Sequence, residues 1–388
     1  MAERDMRRQR KSRLLAVGHR IEHRWDDLRR RIKARLGWLD PPTILPFRGY
    51  GDGSRLRLKG RVLESGGLDK WEPEASAWSN LVRMLHRFES DEVPGARVRA
   101  TFCDRETQAI TDDEGYFEIA LDGLQGLEQH PIGEQRWRDV ELELLEPRRG
   151  ERGNPARASA QVLMPPDLAR LGVISDIDDT IIKTGANDLI RNWRTILLSS
   201  AEGRAPFKGV AAFYRALEEG THGRPVNPIF YVSSSPWNLY DLLERFMALN
   251  RIPAGPMFLR DLGLDRNRFV QGPHDEHKLG VIERLFAFYP ALSFVLIGDS
   301  GQHDARIYRE AVRRHPGRVL AVYIREVAAS AARRRSTRAL LEEVGRAGVQ
   351  AAFGPDLIEA AEDAATQGWI EPAAVARVRK GVESADCA

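Results

Sequence analysis

Cysteine is scarce in this chain, and long apolar runs are missing. Its 388 residues include two cysteines, Cys103 and Cys387, which lie far apart in the sequence. This spacing gives no readable disulfide framework, so a reducing compartment is the simpler expectation. No apolar run reaches the roughly 18 residues of a membrane span. The basic N-terminus lacks the apolar region of a signal peptide. We therefore expect a cytoplasmic protein.

Most of the chain also lacks a large excess of positive or negative charge. The net charge is +3, but residues 1–38 hold 13 Lys and Arg against 5 Asp and Glu, a local balance of +8. The remaining residues therefore carry a net charge of −5. Because the basic character belongs to the N-terminus, we expect no specific binding of nucleic acid by the rest of the chain.

Residues 1–45 are predicted to be a basic amphipathic helical segment. Apolar side chains recur at helical spacing within residues 1–39 and form one stripe. The stripe consists of Leu14, Ile21, Trp25, Leu28, Ile32, Leu36 and Leu39. Three partners remain open for it. They are the rest of the protein or a second copy, an anionic lipid surface at the inner face of the membrane, and RNA.

Residues 50–168 alternate between apolar and polar positions, which is typical of half-buried strands. The alternating sets are Leu56/Leu58, Val98/Ala100/Phe102, Phe117/Ile119/Leu121 and Val140/Leu142/Leu144. A helical pattern at 78–88 interrupts them. The stretch TDDEGYFEI resembles transthyretin-like β-sandwich modules, which implies a sandwich-like module for packing or for binding a partner. It contains no catalytic cluster.

Residues 169–328 change to strand-like runs that alternate with helical patterns, which favours an α/β domain with a Rossmann-like parallel sheet. The strand-like runs are 172–175, 229–232, 257–259, 294–298 and 319–324, and the helix-like stretches lie near 209–219, 236–249, 278–288 and 302–314. Residues 329–388 are rich in Ala and Arg, have helical spacing and include the strand-like run VQAAF. We expect them to complete this domain.

Three carboxylates follow the first apolar strand of that domain, in the sequence VISDIDDT at 173–180. Carboxylates this close repel one another, and a divalent cation at the strand end resolves the conflict. Extended residues at positions i and i+2 point to the same side, so Asp176 and Asp178 can face one reacting phosphorus together.

Three further strand or helix ends carry polar groups. The run LIGDSGQHD at 296–304 delivers Asp299 and Asp304, with Gly298 and Gly301 allowing a tight turn. The run IFYVSSSP at 229–236 ends in hydroxyls that could donate to a phosphate. Lys278 begins a helix and could neutralise phosphoryl charge. Oxygen ligands at this density suit Mg²⁺ better than zinc. The plainer alternatives are a helix N-cap for Asp299, a surface lysine for Lys278 and a solvated acid for Asp304.

Taken in chain order, with Asp176, Ser233, Lys278 and Asp299 in turn, these four motifs resemble the haloacid dehalogenase superfamily of phosphatases. The resemblance implies that Asp176 is the nucleophile and that Asp178 is the general acid and base. It also implies a phosphate site and a Mg²⁺ site. The implied phosphate ligands are Thr180, Ser233, Ser234 and Lys278, and the implied metal ligands are Asp176, Asp299, Asp304 and, through its backbone carbonyl, Asp178.

Four longer stretches are similar to one branch of that superfamily, the actin-patch-protein type of phosphatidate phosphatase. They are SDIDDTIIKTG, YVSSSPWNLYDLL, HKLGVIERL and IGDSGQHD. The resemblance implies hydrolysis of phosphatidate to diacylglycerol and phosphate. Residues 185–206 follow the nucleophile strand and could form only a small cap, which would leave the site open to a lipid. A phosphatase of a soluble, protein or nucleic-acid phosphomonoester and a non-catalytic scaffold remain as alternatives.

Overall fold

A computed structural model describes most of the chain beyond its first 40 residues. The described residues are 41–64, 92–124, 136–147, 155–178, 180–181, 209–260, 274–301, 303–327 and 330–383. The predicted N-terminal helix, the helical pattern at 78–88 and the small-cap segment 185–206 lie outside them. Within them, no helix is both long enough and apolar enough to cross a bilayer.

The first eight strands form one mainly antiparallel sheet, in the order β1-β3-β2-β8-β7-β4-β5 with β6 paired to β3. They are β1 (Pro42–Pro46), β2 (Gly49–Gly51), β3 (Arg55–Glu64), β4 (Arg97–Phe102), β5 (Arg105–Ile110), β6 (Tyr116–Asp122), β7 (Trp137–Glu146) and β8 (Arg157–Leu163). All four alternating sets in the sequence lie on strands. The strands are hydrogen-bonded into one branched sheet, in which β3 pairs with β1, β2 and β6. We call this sheet and its loops the β module.

Alternation in the sequence corresponds to burial in the β module. In β6, Phe117, Ile119 and Leu121 are buried, whereas the residues between them are exposed. These three side chains share one apolar core with those of β3, β4 and β7. Strand β1 contains two prolines, which it tolerates because it lies at the edge of the sheet, where fewer backbone N–H groups are needed for pairing.

The second sheet is parallel throughout, with six strands in the order β11-β10-β9-β12-β13-β14. The strands are β9 (Gly172–Asp176), β10 (Ile229–Pro236), β11 (Met257–Arg260), β12 (Phe294–Asp299), β13 (Val319–Arg325) and β14 (Gln350–Gly354). Strand β9 lies between β10 and β12, so the chain leaves it first in one direction and later in the other. This reversal of strand order is where α/β sheets bind ligands.

Helices cover both faces of the parallel sheet. They are α1 (Val210–Glu219), α2 (Tyr240–Leu249), α3 (His274–Phe288), α4 (Asp304–Arg314), α5 (Ala331–Arg346), α6 (Ile358–Thr366) and α7 (Pro372–Glu383). Helices α1, α2, α6 and α7 share one apolar core with one face, and α3, α4 and α5 share another with the opposite face. The expected α/β domain with a parallel sheet is confirmed at this level.

The β module and the parallel sheet are packed together. Phe47 and Tyr116 belong to the apolar core on one face of the parallel sheet, and Tyr50 belongs to the core on the other face. Arg136, just before β7, forms a partly buried ion pair with Glu218 of α1. The β module is therefore attached to the α/β domain through apolar and ionic contacts.

Candidate active site

Adjacent parallel strands deliver the first two acids of the site. Asp176 ends β9 and Asp299 ends β12, and the register of these strands pairs Ile297 with Ser175. Asp304 is the first residue of α4. Side-chain oxygens of Asp176, Asp299 and Asp304 lie within 4.8 Å of one another, and all three residues are buried. Two distant motifs of the sequence thus meet at the carboxyl edge of the sheet.

Lys278 of α3 lies between two of these acids. Its Nζ is 2.8 Å from Asp176 Oδ1 and 2.7 Å from Asp304 Oδ1. Burial alone would lower the pKa of Lys278, but the charges of Asp176 and Asp304 outweigh burial and raise it. Because its side chain is only 3% exposed, the alternative of a surface lysine is wrong.

Asp176 is under opposing influences. Complete burial raises the pKa of its carboxyl group well above the usual value. The charge of Lys278 lowers it, and the charges of Asp304, Asp178 and Asp299 raise it further. Among the described residues, its Oδ2 is buried without a hydrogen-bond partner. A buried carboxylate oxygen in this state is available to a ligand.

Asp304 is held by both of its oxygens. Oδ1 accepts from Lys278 and Oδ2 accepts from the backbone N–H of Asp299 at 3.1 Å. The alternative of a solvated acid is therefore wrong. Gly298 serves this contact, since a Cβ there would lie 2.5 Å from Asp304 Oδ2. The close approach of Asp304, rather than a left-handed turn, requires glycine at this position.

Asp178 contacts the serine run of β10. Ser233 Oγ donates to Asp178 Oδ2 at 2.6 Å, and Ser235 Oγ donates to Asp178 Oδ1 at 3.2 Å. Ser235 was not among the predicted site residues, although the i, i+2 rule for extended residues could have identified it beside Ser233. Two hydroxyl donors fix the orientation of the Asp178 carboxylate.

Neither Ser234 nor Thr180 donates a hydrogen bond to that carboxylate. Ser234 lies between the two serines that do, and its Oγ is buried without a partner among the described residues. The hydroxyl of Thr180 is in the same state. Their proposed roles as phosphate ligands stay predictions.

The cluster of Asp176, Asp299 and Asp304 suits a divalent cation. Lys278 supplies one positive charge to these three carboxylates, so two negative charges within the cluster remain for a cation to balance. The donor set consists of oxygen atoms, and one of them, Asp176 Oδ2, has no partner among the described residues. Carboxylate oxygens of this kind are the ligands that Mg²⁺ prefers.

The fold and the site together identify this region as an α/β domain with a buried acidic site. A parallel α/β sheet carries, at its point of strand reversal, a buried group of carboxylates paired to a lysine. Residues 171–326, which contain this whole site, match the family model described as phosphatidate phosphatase APP1, catalytic domain.

Curated relatives agree with that match. Phosphatidate phosphatase APP1 of Saccharomyces cerevisiae is 32% identical over 156 residues, which cover 40% of this chain and 26% of that protein. The uncharacterized protein C29B5.04c of Schizosaccharomyces pombe is 27% identical over 163 residues, which cover 42% of this chain and 26% of that protein. The resemblance to APP1-type phosphatidate phosphatases is confirmed for residues 171–326. The chain spans about a quarter of the length of both relatives.

Solved structures give much weaker likenesses. A carbohydrate acetylesterase from Xanthomonas citri aligns with 78% of this chain and 74% of its own, at 10% identity and a TM-score of 0.25. A β-glucuronidase 2 from Bacteroides uniformis aligns with 74% of this chain and 36% of its own, at 10% identity and a TM-score of 0.22. Neither likeness carries an argument about fold or function.

Proposed function

We propose that this chain is a Mg²⁺-dependent phosphatidate phosphatase of the haloacid dehalogenase type, which releases phosphate through an aspartyl-phosphate. The observation that carries the proposal is the match of residues 171–326 to the APP1 catalytic domain. The buried group of Asp176, Asp178 and Lys278 within that segment supports it.

The first step transfers the phosphoryl group to Asp176. A carboxylate oxygen of Asp176 forms a bond to phosphorus while the bond from phosphorus to the glycerol oxygen breaks. Asp178 gives its proton to that departing oxygen. Diacylglycerol leaves, and the phosphoryl group remains on Asp176. The hydrogen bonds from Ser233 and Ser235 keep the Asp178 carboxyl in place for this transfer.

The second step returns the phosphoryl group to water. Asp178, now a carboxylate, takes a proton from a water molecule whose oxygen forms a bond to phosphorus. The bond from phosphorus to Asp176 breaks, inorganic phosphate leaves and the Asp176 carboxylate is restored. Lys278 stays within 2.8 Å of Asp176 Oδ1 and stabilises negative charge on the transferred group.

Asp176, Asp299 and the backbone carbonyl of Asp178 would hold Mg²⁺, with Asp304 supporting the site. When bound, the cation neutralises charge on the phosphoryl oxygens. The buried cluster of Asp176, Asp299 and Asp304 supports this assignment.

The lipid substrate is inferred from the similarity to the yeast protein, which is named as a phosphatidate phosphatase. The helix predicted for residues 1–39 combines an apolar stripe with basic side chains on its other faces, and this combination suits an anionic membrane. A cytoplasmic enzyme that associates peripherally with the inner face of the membrane is consistent with both.

Phosphate release from phosphatidate in mixed micelles, with and without Mg²⁺, tests the proposal. A soluble aryl phosphate is the second substrate. Asp176→Asn is the test variant, and Asp167→Asn, at an exposed acid before β9, is its matched control. We expect metal-dependent release from the lipid by the wild type and by the control, and none by Asp176→Asn.

The other outcomes discriminate between the alternatives. Release from the aryl phosphate but not from phosphatidate would keep the chemistry and indicate a soluble, protein or nucleic-acid phosphomonoester. No release from either substrate would favour a non-catalytic scaffold. Equal release by Asp176→Asn and wild type would exclude Asp176 as nucleophile.

A further inference from the structure

The three serines at 233–235 have little regular pairing with the neighbouring strands of the parallel sheet. Strand β10 pairs with β11 at Val232 and again at Pro236, but the register shifts between these two positions. The backbone of residues 233–235 therefore lies in an irregularity, which re-aims side chains away from the regular pattern. We call residues 233–240 the serine segment. Its geometry near Asp178 depends on contacts beyond the regular strand ladder.

Apolar contacts from the β module meet the serine segment directly after the serines. The ring of Phe47 stacks on Trp237 with centroids 4.9 Å apart and planes inclined by 13°. Phe47 also contacts Tyr240, with centroids 4.3 Å apart. Trp237 and Tyr240 thus pack against the β module, where Phe47 is itself buried.

Three hydrogen bonds from the β module also hold the serine segment. The hydroxyl of Tyr116, on β6, donates to Asn238 Oδ1 at 2.6 Å. Arg61, on β3, donates to the same oxygen at 3.2 Å. The hydroxyl of Tyr240 accepts from the backbone N–H of Arg48 at 2.8 Å. The β module thus holds the serine segment at Asn238 and at Tyr240, through hydrogen bonds, which are directional.

A lysine completes the contact. Lys59 Nζ lies 4.9 Å from the ring centre of Trp237 and 5.0 Å from that of Tyr116. A cation over two aromatic faces attracts both. Lys59 therefore links β3 and β6 to the first residue after Pro236.

We propose that the β module positions the catalytic site. Through Phe47 and Tyr116 it holds the serine segment so that Ser233 and Ser235 keep the Asp178 carboxyl directed at the reacting phosphorus. The inference rests on the proposed function for the role of Asp178. Both module residues lie outside residues 171–326, the segment that matches the APP1 catalytic domain. They are positioning residues, since they act through the serine segment.

Displacement of a catalytic group reduces turnover more than binding. A shift of about 1 Å in a catalytic group can cost on the order of a hundredfold in rate. The β-module residues named here contact the serine segment rather than the carboxylate cluster. Weakening their hold should therefore lower kcat and leave KM nearly unchanged.

Tyr116→Phe is the test variant, because it removes one hydroxyl and keeps the ring under Lys59. Tyr289→Phe is the matched control. The Tyr289 hydroxyl donates to Gly51 of the β module at 3.0 Å, so it also links the β module to the α/β domain, but Tyr289 follows the end of α3 that is remote from Lys278. We expect kcat to fall by about tenfold in Tyr116→Phe and to stay near the wild-type value in Tyr289→Phe.

The same substitution made in a second variant, Ser233→Ala, distinguishes a positioning role of Tyr116 from general damage to the protein. In Ser233→Ala the segment has already lost one bond to Asp178, so adding Tyr116→Phe should reduce kcat by much less than tenfold. An equal fold loss in both backgrounds would overturn the proposal, as would an equal loss in Tyr116→Phe and Tyr289→Phe.

Amide hydrogen exchange tests positioning without using activity. Exchange over residues 233–240 should be faster in Tyr116→Phe than in the wild type and unchanged in Tyr289→Phe. Unchanged exchange in Tyr116→Phe would contradict the proposal even if no substrate were turned over. An inactive wild type would by itself refute only the proposed function.

Discussion

At the residue scale, Lys278 decides whether the acidic cluster can be buried. Its ammonium group contacts both Asp176 and Asp304, and each of these carboxylates has a fully buried side chain. A buried charge that loses its partner costs far more than an exposed one. The lysine is therefore needed for the stability of the fold as well as for the proposed chemistry.

Lys278→Met should destabilise the protein. The substitution keeps the length of the side chain but leaves two buried carboxylates without their cation, which typically costs about 3–5 kcal/mol. Urea unfolding at neutral pH without added metal measures the change. The exposed Lys380 of α7 provides the control variant Lys380→Met, which should change the free energy of unfolding by less than about 0.5 kcal/mol. Equal stability of the two variants would contradict this reading of Lys278.

The site residues were predictable to different degrees. Asp176, Asp299, Asp304 and Lys278 stand at the ends of strongly apolar strands or at the start of a helix, so elementary topology brings them together. Ser235 was missed because three consecutive serines look alike until the strand direction is known. Nothing in the sequence indicated that Gly298 is also required by the close approach of a side chain six residues further on, that of Asp304.

At the element scale, β9 and β12 bring the acids together by being neighbours. Neither strand end alone contains the cluster, because Asp176 comes from β9 whereas Asp299 and Asp304 follow β12. A cation bound there would link the two strand ends and the first turn of α4. Binding to the folded state alone raises stability according to ligand concentration and affinity.

Mg²⁺ should therefore raise the melting temperature of the wild type in the absence of any substrate. Asp299→Asn should reduce this increase, because it weakens the oxygen donor set. Asp167→Asn should keep it. Thermal unfolding over a series of Mg²⁺ concentrations, with Na⁺ added to equal ionic strength, gives the measurement. The same increase in all three proteins would count against a cation site at this cluster.

Strands were predicted where apolar side chains are large. The alternation of Phe117, Ile119 and Leu121 identifies β6 without ambiguity, as does the apolar run of β12. By contrast, the inward-facing positions of β8 begin with the small residues Ala158 and Ala160, and β5 has no buried residue. These two strands give little periodic signal, and only their pairing with β7 and β4 reveals them.

At the scale of the whole molecule, the β module and the α/β domain are physically joined. Phe47 and Tyr50 come from the same short stretch of the module, yet they enter the apolar cores on opposite faces of the parallel sheet. Sequence patterns predicted both regions but gave no sign of this junction, because it depends on contacts between residues nearly 200 positions apart, such as Arg48 and Tyr240.

In the proposed mechanism, Asp176 accepts the phosphoryl group and Asp178 activates the water that removes it. Asp178→Asn separates these two roles. An aryl phosphate has a leaving group that needs little protonation, so the first step should proceed, whereas the second should stall without a base.

Acid-quenched Asp178→Asn, after incubation with aryl phosphate and Mg²⁺, is the measurement to make. We expect a burst of aryl alcohol equal to the enzyme concentration, with a phosphoryl group located by mass spectrometry on Asp176. The double variant Asp176→Asn/Asp178→Asn should give neither. Steady turnover by Asp178→Asn without a phosphorylated enzyme, or a phosphoryl group on any other residue, would contradict the account.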